Sequence, residues 1–483
     1  MLKYRNIAVW VCLFAFLFAF SAAADSAVPY ENYNYSNNGG NLLPAPQAYI
    51  PERQIFAPEL GLPAWITPTD LHAAPDGKLY ILDGGSGSIT VINSDFQCVG
   101  SFTGFEIDAK PDDFEGAQGL FVTQERIYIA DTQHERIVVL TLDGKFIEQH
   151  TKPESPLLNE NFIFKPARLA VDANGILYIV GQGIFEGIVT LNPQGNFDGF
   201  IGANRVVPDP MLLFWLRFAS KSQRDTMLQF IPVSHSSVDI DDDGFLYCTT
   251  LTEQDGAMVQ KLNQGGGNIL RSLSNVSIIG DLGTYWYGAM HGKSVFVDAA
   301  HGENGIYACL DSTRGKVFCY NNDGYLLYTF GTLSAQLGGF RNPVALTFFA
   351  GRVAVIDREK GSVTFFAPTE YAKQINSAVA DQMNLEYDKS YGAWQKVLAL
   401  NNRFELAHVA IGNVHYREGR YKDAMKSYQS GGSKDLYSKA LEGYRAEWIT
   451  DYVWLLAGGL FALLSFITAL VIWHKGRRRR AAS

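Results

Sequence analysis

The chain has 483 residues, 47% of them hydrophobic and 18% charged, which excludes general disorder and exceeds one ordinary domain. A net charge of −9 and a pI near 5.5 exclude the basic footprint that nucleic-acid binding needs. Five cysteines, one of them Cys12 in an apolar leader, do not make a disulfide framework, and no CxxC or Cys/His zinc spacing occurs.

Met1–Ala24 reads as a secretory signal. Lys3 and Arg5 precede the apolar run Ile7–Phe20, and Ser21-Ala22-Ala23-Ala24 offers a small-residue cleavage site. Cys12 lies inside the run, which argues against a lipid anchor; an uncleaved membrane helix is the alternative. Residues 25–48, rich in Asn, Tyr, Gly and Pro, are expected to be a poorly ordered linker.

A phrase then recurs. Arg126–Phe146 (RIYIADTQHERIVVLTLDGKF) holds two short apolar runs around a polar turn and closes on Asp143-Gly144, the pattern of antiparallel strands. Copies align at Tyr80, Tyr128, Tyr178, Tyr247, Tyr307 and Ala354. A period of about 40–50 residues with roughly four strands per unit is how a propeller looks in sequence. One hairpin cannot bury both faces, whereas a ring of them stacks sheet on sheet and leaves no long free edge. The expected fold is mainly β, a six-bladed propeller over 49–368, with Tyr49–Phe56 as the strand that closes the ring against the last blade.

The wording of the repeat, a tyrosine strand, Asp, a polar turn ending in Arg-Ile, an apolar strand and D-G-x-F, resembles the NHL repeat. Asp131, Arg136 and Ile137 match it best. Asp83/Ile89 and Asp357/Val363 keep the Asp and the aliphatic residue, and blades three to five replace the Asp with Gly181, Thr250 and Leu310. The resemblance implies a propeller scaffold, which serves many functions.

The longest step between copies carries Pro208–Pro232. Asp209 and Pro210 suit a helix start there, giving a helical insertion over 208–232. Trp215, Arg217, Gln223 and Arg224 fall toward its outer side and are candidate partner contacts if the helix is a lid or docking element; a packed decoration is the other reading. Tyr285, Trp286 and Tyr287 in the segment DLGTYWYGAMH suit stacking on sugar or peptide, and alternating blade packing explains them equally well.

Catalytic and metal signatures are weak. Asp239-Ile-Asp241-Asp242-Asp243-Gly244 opens like a calcium loop but has Thr250 where the bidentate Glu belongs. A zinc lyase related to NHL propellers needs histidines converging on the channel, and His72, His134, His150, His235, His291 and His301 sit at scattered offsets in the repeat. Asp83, Asp131 and Asp357 are expected to bond their own turns. Cys309 and Cys319 flank one hairpin turn, either as a pair or as two small core residues. No GxSxG, HExxH or P-loop is present. No catalytic residue, metal or cofactor is assigned.

Past Gln374 the period changes to a helical one. Tyr387, Ser390 and Trp394 repeat as Tyr421, Ala424 and Tyr428, and with Gly412 and Gly419 the text resembles the tetratricopeptide repeat, over 374–448. Tyr452–Trp473 is uncharged and long enough to cross a hydrocarbon core of about 30 Å. Trp448, Tyr452, Trp454 and Trp473 suit interfacial belts, and the basic tail 474–483 places this end in the cytoplasm by the positive-inside rule. The expectation is a single-pass membrane protein with its propeller outside the cytoplasm, acting as a binding or scaffold subunit for protein partners, for example as an accessory to a membrane transporter or envelope complex. A surface lactonase or lyase is the first alternative and a carbohydrate-binding module the second.

Overall fold

The computed structural model describes residues 28–37, 40–158, 162–203, 234–254, 257–271, 277–282 and 292–480. The expected signal, the insertion at 208–232 with Trp215, Arg217, Gln223 and Arg224, and the aromatic trio Tyr285, Trp286 and Tyr287 all lie outside the described residues. The chain divides into two compact units. The first comprises residues up to Asn34 with Pro44–Asn376, and the second comprises Tyr35–Leu43 with the residues from Ser377 onward.

The first unit is a six-bladed β-propeller. Blade 1 runs outward from Pro68–Ala73 through Leu79–Asp83 and Ser88–Ile92 to Cys98–Thr103, all antiparallel. Blades 2, 3 and 5 repeat this order from inner strands Gly119–Val122, Pro166–Val171 and Phe296–His301, and blade 4 has three strands among the described residues, from His235–Ile240. The inner strand of blade 6, Pro343–Phe349, touches that of blade 1, so the ring is shut. Blade 6 takes its outermost strand from the other end of the chain: Tyr49–Phe56 pairs along Ser362–Pro368, from Phe56 opposite Ser362 to Tyr49 opposite Pro368.

Strand alternation explains the core. In blade 2, Ala130, Ile137 and Val139 point one way and pack with Leu169, Ile179 and Val189 of blade 3. Their neighbours Ile129, Val138 and Leu140 point the other way and pack with Leu82, Ile89 and Val91 of blade 1. The D-G turn at Asp143-Gly144 forms as read. Gly144 takes φ +79°, which only glycine adopts cheaply, and its N–H donates to Thr141 O at 2.9 Å.

Two expectations need correcting, and one open alternative is decided. Residues 28–37 and 40–48 are not a loose linker. Asn32, Tyr33 and Asn34 are buried. Asn34 Nδ2 donates to the carbonyls of Leu326 and Leu327 at 3.0 and 2.8 Å, Asn32 Oδ1 accepts from Thr329 N–H at 2.8 Å, and Tyr33 OH reaches the Asp281 carboxylate at 2.7 Å. These asparagines satisfy the outermost strand edge of blade 5, a job that composition does not advertise. Next, blade 5 keeps the repeat Asp. Asp311, not Leu310, stands opposite the start of its inner strand, as Asp83 and Asp357 do in theirs, so alignment on Tyr307 slips by one residue. Last, Cys309 and Cys319 are free and buried, with Cys309 opposite Phe318 and Cys319 opposite Ala308, which favours the core reading.

Helices α1 (Glu370–Met383), α2 (Tyr387–Leu400), α3 (Glu405–Arg417), α4 (Tyr421–Ser430) and α5 (Lys434–Arg480) follow. In the second unit, Tyr428 lies against Gly412, where a Cβ would come within 2.6 Å of its ring, and Tyr421 lies in the same way against Gly443. Gly419 turns the chain from α3 into α4 at φ +74°, and Ala424 is fully buried between the helices. Ser36 Oγ and Asn37 N–H donate to the Glu405 carboxylate at 2.9 and 2.6 Å. Helix α5 is 47 residues long, and its stretch Ala457–Lys475 is long and apolar enough to cross a membrane, with none of it buried.

Candidate functional site

The six inner strands line an axial channel, and register decides which side chains meet in it. Counting from each repeat Asp or its replacement, Asp70, Gly119, Arg168, Ser237, Asp298 and Ala345 occupy one level. Arg168 Nη1 pairs with Asp70 Oδ1 at 2.8 Å. The same guanidinium donates to the carbonyls of Thr69, Gln118 and Val344 at 3.1, 2.7 and 3.0 Å, so one side chain from blade 3 holds blades 1, 2 and 6. Asp70 Oδ2 accepts from Leu120 N–H at 2.8 Å. Asp298 accepts from Ser237 Oγ and, at 2.8 Å, from Leu346 N–H. Burial pushes the Asp298 carboxyl up to about 7, against the pull of Arg168 and with the repulsion of Asp70. This level is a closed, satisfied network that ties the blades together.

The next level out is His72, Phe121, Ala170, Asp239, Ala300 and Thr347. His301 stands one strand position further along blade 5 and reaches sideways to blade 4: its Nδ1 and its backbone N–H both donate to Asp239 Oδ2 at 2.8 Å. Two of the six histidines therefore do come to the same place. The reason sequence offsets hid this is geometric. The reach is diagonal between neighbouring blades, and the turns joining first and second strands differ in length, so numbering does not track level.

Around this level the channel opens into a recess of about 1160 Å³. Its floor holds His72, Phe121 and His301; its rim is built from the turns between first and second strands, with Glu125, Asp242, Asp243 and Glu303 at their tips. A smaller space of about 320 Å³ continues from His72, Asp239 and His301 toward blade 6, past Phe348. The calcium-like run Asp239–Gly244 is divided between these parts. Asp239 faces His301, while Asp241 accepts from Phe245 N–H at 2.8 Å in its own turn and pairs with Lys261 at 3.1 Å. Among the described residues no group of three or more His, Cys, Asp or Glu is arranged to hold a metal ion.

The charges at the floor are unequal. Burial opposes the charged form of His301, but the adjacent Asp239 outweighs it and lifts the imidazole to about 9. For Asp239 burial favours the neutral form, and His301 outweighs it to hold the carboxyl below its usual value. Burial lowers His72 to about 4, with His301 adding to the fall and Asp239 opposing it. His72 is therefore neutral at pH 7 and His301 is a cation. A histidine whose folded value exceeds its ordinary 6.5 stabilises fully below 6.5 and stops doing so as pH rises through its folded value. The urea midpoint should thus fall between pH 6.5 and about 9, and His301→Gln should flatten the profile in that window. An unchanged slope in the variant would show that the Asp239–His301 pair contributes nothing to folding.

The repeat aspartates do bond their own turns. Asp83 accepts from Gly85 N–H at 3.2 Å and Ser86 Oγ at 2.6 Å, Asp357 from Lys360 N–H at 3.1 Å, and Asp131 from Arg136 Nε at 2.9 Å. They also hold the entry of the inner strand, Asp83 through Ile66 and Thr67 N–H at 2.8 and 2.7 Å and Asp357 through Arg341 N–H at 2.7 Å. Of the helical-motif residues, Trp394 is 1% exposed beside Phe404, Tyr428 OH donates to Asn413 Oδ1 at 2.9 Å, and the Arg417 guanidinium covers the Tyr387 ring at 3.8 Å. Gly412, Gly419, Tyr421 and Ala424 act in helix packing as described above. The channel residues Asp70, Arg168, Ser237 and Asp298 were not singled out in the sequence. The available signal was a charge inside a short apolar strand, as in PARLAV and VDAAH.

The fold places the chain among six-bladed β-propellers. No family profile matches it, and no curated protein is significantly similar. Among solved structures it is similar to virginiamycin B lyase from Staphylococcus aureus, at 10% identity over 65% of this chain and 98% of that one, TM-score 0.39. It is similar to a protein of unknown function from Bacteroides thetaiotaomicron, at 12% identity over 70% and 76%, TM-score 0.41. It is also similar to BamB from Moraxella catarrhalis, at 14% identity over 62% and 85%, TM-score 0.32. None of these likenesses bears on what this chain binds.

Proposed function

We propose that the chain is a single-pass membrane protein whose propeller lies outside the cytoplasm and that it serves as a binding or scaffold subunit, with the propeller and the tetratricopeptide-like helices holding protein partners at the membrane surface. The observation that carries this reading is α5. Its first turns pack against α4 through the fully buried Ala440, and its apolar stretch Ala457–Lys475 has no protein cover. Nineteen helical residues extend about 28 Å, close to the thickness of a hydrocarbon core. The basic run from Lys475 to Arg480 supports a cytoplasmic tail.

Full-length tagged protein solubilised from its own membrane should recover a stoichiometric membrane partner, and a variant lacking Asn376–Ser430 should lose it. Recovery of the protein alone from both would remove the scaffold reading. Protease added to sealed cells should cut the propeller side and spare the tail; the reverse pattern would invert the orientation.

A further inference from the structure

We propose that the recess at the His72 end of the channel takes a basic peptide segment, its Lys or Arg side chains meeting the rim carboxylates and a backbone carbonyl oxygen meeting the two imidazole N–H groups on the floor. This names a ligand chemistry for the binding role proposed above and rests on it.

Two independent features carry the inference. The first is a pair of floor donors. His72 Nδ1 accepts the Val122 N–H at 3.4 Å, so the neutral ring carries its proton on Nε2. His301 donates through Nδ1 to Asp239, and as a cation it keeps a second N–H on Nε2. Neither Nε2 has a protein acceptor among the described residues, and both rings border the recess. The second is the rim. Glu125, Asp242, Asp243 and Glu303 come from three different blades, are exposed, and form no ion pair with a Lys or Arg among the described residues, although Asp242 also feels the His301 cation below it. By contrast, other charges here are already matched: Arg126 with Glu148 at 3.0 Å and Lys261 with Asp241 at 3.1 Å. A recess of about 1160 Å³ with a rim of carboxylates that no Lys or Arg neutralises and two free N–H donors below suits a ligand that is cationic outside and has an oxygen acceptor within. A polyamine supplies the charge but no acceptor, whereas a peptide supplies both at fixed spacing.

The test uses purified full-length protein in detergent, with acetyl-trilysine amide and spermidine, two trications of which only the first has carbonyl groups. The peptide should bind about ten-fold more tightly than spermidine, the margin expected of one or two added hydrogen bonds to or from a charged group. Asp242→Asn with Asp243→Asn should weaken both ligands. His72→Phe should weaken the peptide alone, down to the level of spermidine, and His72→Gln, which keeps a donor, should restore most of the difference. Equal affinity for both ligands, indifference to His72→Phe, or no binding of the peptide would overturn the inference. The titration needs no partner protein, so its failure alongside a recovered membrane partner would sink the peptide site and leave the scaffold reading intact. Peptide binding without any recovered partner would do the opposite.

Discussion

Replacing Arg168 with methionine should lower the unfolding free energy of the propeller by about 3–5 kcal/mol. The side chain is buried in the channel, and its loss strands Asp70 as an unpaired carboxylate and leaves the carbonyls of Thr69, Gln118 and Val344 without their donor. Breaking a buried pair from one side costs more than removing both halves, because the remaining charge has no water. Urea unfolding followed by tyrosine and tryptophan fluorescence should therefore show a large drop for Arg168→Met and a smaller one for Arg168→Met combined with Asp70→Leu. A single variant within about 1 kcal/mol of the parent would mean that the channel network is not what ties the blades.

The second large effect concerns the helices. Trp394→Ala should destabilise the helical unit by about 3–5 kcal/mol, the usual cost of emptying a buried indole site. Trp394 is 1% exposed and packs with Phe404 at a ring distance of 6.0 Å, and Val397 and Ala393 of the same helix are buried with it. Its Nε1 has no acceptor among the described residues, so Trp394→Phe removes an unsatisfied donor together with some volume and should cost much less than alanine. Limited proteolysis between Tyr387 and Ser430, with loss of helical circular dichroism, reads the difference. Equal sensitivity of the Ala and Phe variants would show that cavity size does not govern this unit.

Reading the hairpins from sequence worked because a blade strand is buried by alternation, and alternation survives as text. The apolar runs at Ile127–Ala130 and Ile137–Leu140 point to the same strands that the structure pairs. The closing strand followed from position rather than pattern: Tyr49–Phe56 lies where the chain enters the propeller and pairs with the last strand. Helices α2 and α4 begin at Tyr387 and Tyr421, the two residues that mark the helical repeat. What stayed hidden depends on partners distant in the chain. Asn32 and Asn34 look like linker residues until the bare edge of blade 5 is beside them. Arg168 looks like an interruption of a strand until Asp70, 98 positions earlier, is seen across the channel. The recess floor was hidden by level rather than by residue type, since His72, Asp239 and His301 meet only after bulges and unequal turns have shifted each blade.

Ring closure also constrains how the protein is made. The last blade is completed by Tyr49–Phe56, which emerges early, and by Ser362–Pro368, which emerges late. With chain growth at roughly 5–20 residues per second, the early strand waits on the order of tens of seconds for its partner. Throughout that interval both its hydrogen-bonding edges are free, and Ile55, which ends fully buried, faces solvent. If the propeller matures after export, some holding factor there has a defined client: an unpaired strand in the early part of the chain. Ring closure is then a timing signal as well as a joint, because the helices and the apolar stretch of α5 are made only after the final strand is delivered.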